Sequence, residues 1–328
     1  MAYSKEVIRR ARRRLETAKA ERESENRQRL QEAYRQIPRL KEIDLLLRKT
    51  MALAAQAVFT SGGDAREAME QVKEANLALQ RERQMIVDAH FEKGYLDESP
   101  ICSNCGGSGY VGSTMCSCLK ELCRQEQKQE LALLACGEER FVNFRLDYYS
   151  DKVDGKYGYS PRNIMERCLQ VSRKYAHDFG TGSGNLLFFG GTGLGKTFLS
   201  ACIATVVAER GFSVAYESAH HLFSKLEKDR FNPDEKSREE VERLNGCDLL
   251  IIDDLGTELP GNFVTAALYN LVNDRLLAGK PMLISTNLTA EELGRRYSPQ
   301  IASRLQGSFQ RLIFVGEDIR VKKNRGEL

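Results

Sequence analysis

Apolar side chains recur every three or four positions from Leu30 to Met51. Leu30, Tyr34, Ile37, Leu40, Ile43, Leu47 and Met51 fall on one stripe, and from Tyr3 to about Phe59 the residues are mostly good helix formers. The spacing predicts one amphipathic helix, or two broken near Pro38. Ser61-Gly62-Gly63-Asp64 predicts a turn, with Asp64 capping a second helix and Glu67 three positions on completing a box-like start. Met69, Val72, Leu79 and Ile86 give that helix a buried stripe, so the two segments are expected to form an antiparallel helical hairpin. Its apolar remainder either suits a partner protein or closes the hairpin on itself.

The helical pattern stops at Gly94. Residues 101–118 then carry four glycines and four cysteines in 18 positions, too few large apolar side chains for a core. A metal is the natural staple. Cys102-x2-Cys105 and Cys116-x-Cys118, ten residues apart, match structural zinc; an iron–sulfur cluster or unliganded thiols are the other states of such a set. The second pair is tighter than usual, which leaves Cys123 as a replacement for either member. Cys136, Cys168, Cys202 and Cys247 sit in helical or strand contexts and read as small core residues.

A charged helical segment from Leu119 to about Leu134 leads to an aromatic-rich run, Phe141 to Tyr149. Ser160-Pro161 reads as an N-cap followed by proline at the first helical position, opening a helix to about His177. Beyond residue 184 short apolar runs at 185–189, 212–216, 248–252, 281–285 and 311–315 alternate with helix-length segments. That alternation predicts an α/β fold, a parallel sheet with crossover helices.

Composition narrows the class. The 328 residues are 41% hydrophobic and 29% charged, a globular balance with room for about two domains. No run of 18 apolar residues occurs and the first 25 residues lack a signal-peptide core, so neither membrane spanning nor export is expected. Nine cysteines then fit reduced cytoplasmic thiols better than a disulfide framework. Residues 1–50 hold 15 Lys and Arg against 8 Asp and Glu, while the other 278 residues have a net charge of −4. Such asymmetry suits a polyanion or acidic partner, or a solvated helical face.

The chemistry is densest after residue 185. Asn185-Leu186-Leu187-Phe188-Phe189 runs into Gly190-Gly191-Thr192-Gly193-Leu194-Gly195-Lys196-Thr197, and a helix follows: a complete P-loop in strand, loop, helix context. Its glycines let backbone amides turn toward phosphates, Lys196 reaches the β and γ phosphates, and the Thr197 hydroxyl ligates Mg²⁺. The strand Asp248 to Ile252 ends in Asp253-Asp254; Asp253 is placed to hold Mg²⁺ through water and Asp254 to polarise the attacking water. Asn287, after the strand Pro281 to Thr286, is able to orient water near the γ-phosphate. Ser303-Arg304-Leu305 closes a short helix, and Arg320 lies in Glu317-Asp318-Ile319-Arg320. A basic and aromatic helix, His220 to Phe231, offers Phe223 or Phe231 for base stacking and Lys225, Lys228 and Arg230 for phosphates. Leu222, Phe223 and Leu226 read equally well as core.

Taken together, Gly190 to Thr197, Asp248 to Gly256, Ser285-Thr286-Asn287, Ser303-Arg304-Leu305 and Gly316 to Arg320 resemble the AAA+ ATPases of the DnaC/DnaI replicative helicase loader family, with the IstB transposition ATPases as near relatives. The resemblance covers about 140 to 185 residues, from Phe141 or Gly184 to Arg320. It implies that Asn287 is sensor 1, Arg304 an arginine finger acting on a neighbour's ATP and Arg320 a sensor 2 arginine. Asp254 departs from the glutamate usual in AAA+ proteins, though IstB-like proteins often carry this pair. Only 14 residues follow Phe314, in keeping with the reduced lid of the loaders. Zinc in the N-terminal domain is likewise a property of DnaI-type loaders.

These readings divide the chain into a helical partner-binding region (1–92), a four-cysteine zinc module (93–124), a helical and aromatic linker (125–180) and an AAA+ ATPase domain (181–328). The resemblance implies a cytoplasmic ATPase, slow and partner-stimulated, that uses ATP, Mg²⁺ and Zn²⁺. It would self-associate through the ATPase domain and load a hexameric DnaB-type helicase, gripped by the N-terminal region, onto single-stranded DNA. The alternatives are an IstB-like transposition helper that binds duplex DNA and a transposase, or a zinc-stapled adaptor switched by nucleotide with little turnover.

Overall fold

The computed structural model describes residues 3–60, 65–134, 139–180 and 182–326. The chain divides into two compact units, residues 13–116 and residues 1–12 with 117–328.

The first of these units is mostly helical. α1 (Lys5–Gln36), whose opening residues belong to the other unit, and α2 (Pro38–Thr60) meet at Ile37, so the broken form of the long amphipathic stretch is the one that folds. Pro38 occupies the first position of α2, where an N–H has no intrahelical acceptor to lose. α2 packs along α3 (Ala65–His90); Arg39 donates to Glu82 at 2.8 and 3.1 Å and Arg83 to Asp44 at 2.7 Å. Leu40 and Ile43 are fully buried. The turn expected at 61–64, with Asp64 as its cap, lies outside the described residues. Within the cysteine-rich loop β1 (Tyr110–Val111) and β2 (Thr114–Met115) pair as an antiparallel hairpin. Two-residue strands are too short to show alternation in sequence.

The second unit contains α4 (Ser117–Leu134), two 3-10 turns (Phe141–Asn143 and Leu146–Tyr148) and α5 (Pro161–Asp178). Ser160 caps α5 by accepting from the Asn163 N–H. Strands and helices then alternate: β3 (Asn185–Gly190), α6 (Lys196–Glu209), β4 (Val214–Ser218), α7 (Ala219–Phe231), α8 (Glu235–Gly246), β5 (Leu249–Leu255), α9 (Asn262–Leu277), β6 (Met282–Thr286), α10 (Ala290–Arg296), α11 (Pro299–Ser308), β7 (Phe309–Phe314) and α12 (Ile319–Asn324). The five strands β3 to β7 form one parallel sheet in the order β4-β5-β6-β3-β7. Successive residues face opposite layers, as a pleated strand requires. Leu186, Phe188, Ile251 and Leu283 enter one core; Leu187, Leu250, Ile252 and Ile284 enter the other.

A parallel sheet brings the carboxyl ends of all its strands to one edge, and ligands bind there in open α/β sheets. The residues expected to close a short helix, Ser303-Arg304-Leu305, lie instead inside α11. Ser298 caps that helix, Pro299 opens it, and the run continues to Ser308. Among the described residues no helix is long and apolar enough to cross a membrane.

Candidate functional site

The loop between β3 and α6 is shaped by its glycines. Gly190 has φ 151°, and a Cβ on it would stand 2.3 Å from the carbonyl oxygen of Phe314 on neighbouring β7. Gly193 has φ 69°, and its Cβ would stand 1.9 Å from Asp318 Oδ1. A side chain at Gly190 would force the β7 backbone away, and one at Gly193, strained by the positive φ, would displace the Asp318 carboxylate at the start of α12. α6 begins at Lys196, and the first-turn N–H groups of a helix lack intrahelical acceptors, which suits an anion.

Lys196 is buried, and its Nζ donates to Gly190 O (2.9 Å), Gly191 O (2.7 Å) and Asn287 Oδ1 (2.5 Å). Burial pushes its pKa down, partly offset by the charges of Asp254 and Asp253. Asp254 lies at the end of β5, and its carboxyl is pushed up by burial and by the Asp253 charge, against Lys196 and Arg320. Asp253 is buried, and its carboxylate accepts from Tyr216 Oη at 2.9 Å and from Ser285 Oγ.

A cleft of about 570 Å³ runs over the loop. It is lined by Thr192, Gly193, Leu194, Gly195, Lys196, Thr197, Asp254, Asn287 and Arg320, gathered from the ends of β3, β5 and β6 and from α12. Gly190 and Gly191 are not in its lining and hold Lys196 through their carbonyls. Asp253 is also outside the lining, beside the strand neighbours that grip it. The cation, the loop amides, the Thr197 hydroxyl and the two acids together form a donor set that fits a nucleoside triphosphate and Mg²⁺.

The other wall was not assigned to the site from sequence. Val142, Asn143, Phe144, Arg145, Tyr148 and Tyr149 line the cleft from the segment before α5. The Phe144 ring lies 5.7 Å from Phe198 and 5.8 Å from Tyr149, and Tyr149 Oη donates to Leu194 O at 2.9 Å. Asp318 caps α12 by accepting from the Arg320 N–H at 2.9 Å, and the Ile319 N–H donates to Gly193 O at 3.1 Å. The density of aromatics from 141 to 149 was the available signal. Nothing in their spacing says that they fold back over a loop some fifty residues later.

Arg304 lies outside this cleft. Its Nη2 donates to Asn273 Oδ1 at 3.2 Å and its guanidinium sits 4.6 Å from the centre of the Tyr269 ring. On α7 the nucleic-acid reading needs correction at Phe223, which is 4% exposed and packs in the core with Leu222, leaving no ring face for a base. Lys225 is paired with Glu217 and Lys228 with Asp234, each at 2.7 Å. Arg230 is exposed, and Phe231 is 69% exposed with its ring 5.4 Å from Phe263.

In the cysteine loop the sulfurs of Cys102, Cys105, Cys116 and Cys118 all lie within 4.8 Å of one another. Cys102 and Cys116 are 3.8 Å apart. Four sulfurs each about 2.3 Å from a central zinc would be about 3.8 Å apart, so the set fits a tetrahedral metal. The Gly109 N–H donates to Cys105 Sγ at 3.3 Å, support of the kind a thiolate ligand receives. Cys123 is buried outside this group, and burial pushes its thiol up to about 11. Cys168, Cys202 and Cys247 are buried; Cys136 lies outside the described residues.

Fold and cleft define a P-loop protein of the AAA+ class, with its nucleotide site at the carboxyl edge of a parallel sheet. A family profile described as IstB-like ATP binding protein matches residues 155–325, just over half of the chain. The chain belongs to that family. Among curated proteins it is similar to the replicative helicase loader DnaC of Escherichia coli strain K12, 27% identical over 139 residues, or 42% of this chain and 56% of that protein. The DnaC of Buchnera aphidicola subsp. Baizongia pistaciae is 26% identical over 165 residues, 49% of this chain and 67% of its own. The chain thus spans somewhat over half the length of the first of these relatives. Among solved structures, a DnaC helicase loader aligns with TM-score 0.44 and 20% identity over 53% of this chain and 98% of its own. DnaI aligns with TM-score 0.41 and 18% identity over 47% and 86%.

Proposed function

We propose that this chain hydrolyses ATP and uses the cycle to load a hexameric DnaB-type replicative helicase onto single-stranded DNA in the cytoplasm. The observation that carries the reading is the kinship with DnaC helicase loaders. In this reading the loop from Gly190 to Thr197 cradles the phosphates, Lys196 leaves its carbonyl partners to meet the β and γ oxygens, and the aromatic wall at Phe144 receives the base. Mg²⁺, held by Thr197 and Asp253, supplies charge neutralisation at the phosphates when bound. Asp254 takes the proton side of an attacking water, Asn287 orients that water, and Arg320 stabilises charge on the transferring phosphoryl group. Arg304 serves the cleft of an adjacent protomer.

Residues 1–92 grip the helicase in this scheme, and Zn²⁺ on Cys102, Cys105, Cys116 and Cys118 staples the loop that follows. Phe231 and Arg230, together with Lys225 and Lys228 once released from their carboxylates, supply the single-strand contacts. The test is a loading assay with the full chain, helicase, ATP and circular single-stranded DNA. Helicase retained on the circle only with chain and ATP supports the proposal, and retention independent of the chain ends it.

The match to the IstB-like profile favours a second reading, a transposition helper that binds duplex DNA and a transposase. Anisotropy with labelled single and double strands separates the two: tighter binding to duplex in the presence of ATP selects the helper.

A further inference from the structure

β5 and β6 keep register on either side of the acid pair, Ile252 opposite Ile284 and Leu255 opposite Thr286. Two residues of β5, Asp253 and Asp254, therefore stand against one residue of β6, Ser285. This is a β-bulge, a device that re-aims side chains at the rims of sheets. Asp254 has φ 54°, the one positive φ on a non-glycine residue among those described. A left-handed residue with a Cβ persists when its surroundings hold it there.

Ser285 is the residue that touches both bulged positions. It is 0% exposed, its Oγ accepts from the Asp254 N–H at 2.9 Å, and its hydroxyl proton goes to Asp253 Oδ1. The bulge takes the Asp254 N–H out of the strand ladder, and a buried N–H without an acceptor is costly. The serine oxygen supplies that acceptor. From the opposite side Tyr216 on β4 donates to Asp253 Oδ2 at 2.9 Å, so hydroxyls from both flanking strands fix the carboxylate. The outcome is a division between adjacent acids: Asp254 lines the cleft while Asp253 stays beside the strands that hold it.

We infer that Ser285 is a positioning residue for hydrolysis, its hydroxyl holding the bulge that aims Asp254 into the cleft and fixing the carboxylate of Asp253. The inference rests on the ATPase reading above. It also gives the short side chain at 254 a structural counterpart, since a left-handed backbone changes the direction in which that carboxylate leaves the strand.

The test uses the full chain with Ser285→Ala, Ser285→Thr and Ser285→Cys. Loss of the hydroxyl in Ser285→Ala should lower kcat by about 10–100-fold, the usual effect of removing a partner that orients a metal-holding group. KM for ATP should change by about twofold or less. The Mg²⁺ concentration that half-saturates binding of a fluorescent ATP analogue should rise, a readout that does not depend on turnover. Ser285→Thr, which keeps the hydroxyl, should recover most of both values. If Ser285→Ala does not fold, Ser285→Cys, close in shape and poor in hydrogen bonding, carries the same expectations. Wild-type turnover and Mg²⁺ midpoint in a folded Ala or Cys variant would overturn the role of Ser285 and leave the ATPase reading standing. Equal defects in Ala and Thr would assign the site to packing and likewise overturn it. No turnover by the unaltered chain, with helicase and single-stranded DNA present, would remove the ATPase reading and the inference together.

Discussion

Lys196 and Asp254 are charged groups held partly out of water in each other's field, and their exchange for neutral residues should have different consequences. Lys196→Ala removes the phosphate-directed charge, so nucleotide binding or turnover should be lost. Asp254→Asn leaves the phosphate cradle intact and should keep binding while losing hydrolysis. Equilibrium binding of a fluorescent ATP analogue beside phosphate release separates the two. The raised carboxyl at Asp254 also fixes a sign. For stability, ionising a group whose folded pKa is raised costs the folded state. That cost is absent below the unfolded-chain value, grows as pH rises toward the folded value, and is complete above it. Asp254→Asn, which tolerates a left-handed backbone, should therefore melt higher than wild type near neutrality, with the gain vanishing in acid. A melting series across pH checks it; a gain that persists in acid would contradict the assignment.

At the scale of elements, the cysteine loop has two two-residue strands and few apolar residues, so its order depends on the four sulfurs. One zinc per chain should be found by metal analysis, and Cys102→Ser or Cys116→Ser should lose it. The loop should then unfold locally while ATP-analogue affinity stays nearly unchanged, since no loop residue lines the cleft. Absence of zinc from the wild type would settle the matter against it. The segment from Phe141 to Tyr149 makes a different prediction. Phe144 packs against Phe198 and Tyr149 and faces the cleft, so Phe144→Ala should weaken ATP-analogue binding by roughly tenfold, about 1.4 kcal/mol, within the range of a lost stacking contact. Lys196 and the acids, in other elements, would remain in place, and unchanged affinity would take the base away from that wall.

Arg304 belongs to the scale of the assembly. It stands outside its own cleft on α11, over Tyr269, so an arginine-finger role requires a second protomer. ATPase activity per protomer should rise with protein concentration or on adding helicase and single-stranded DNA, and Arg304→Ala should flatten that rise with nucleotide affinity kept. Mixing Arg304→Ala with Lys196→Ala, each inactive alone, should restore some activity by pairing an intact loop with an intact arginine. A mixture that stays inactive, alongside wild-type activity independent of concentration, would make Arg304 a structural residue.

The alternation of strands and helices beyond residue 184, the P-loop with its following helix, the carboxylates at the end of β5 and the cysteine quartet were all legible in sequence. Each depends on neighbours a few positions away: alternation along a strand, glycine in a tight loop, ligand spacing in a short segment. Other features depend on residues far apart in the chain. Helical spacing puts Phe223 and Phe231 on one element without saying which of them the sheet will cover, and packing buried the first and exposed the second. The aromatic run before α5 acquires its place only by folding back onto the loop after β3. Asp253 and Asp254, adjacent and chemically identical, are parted by the register of β5 against β6, which sets two residues opposite Ser285. Local chemistry in the sequence determined which groups are present; tertiary structure decided which way each one faces, because burial and strand register are set by partners that no short window contains.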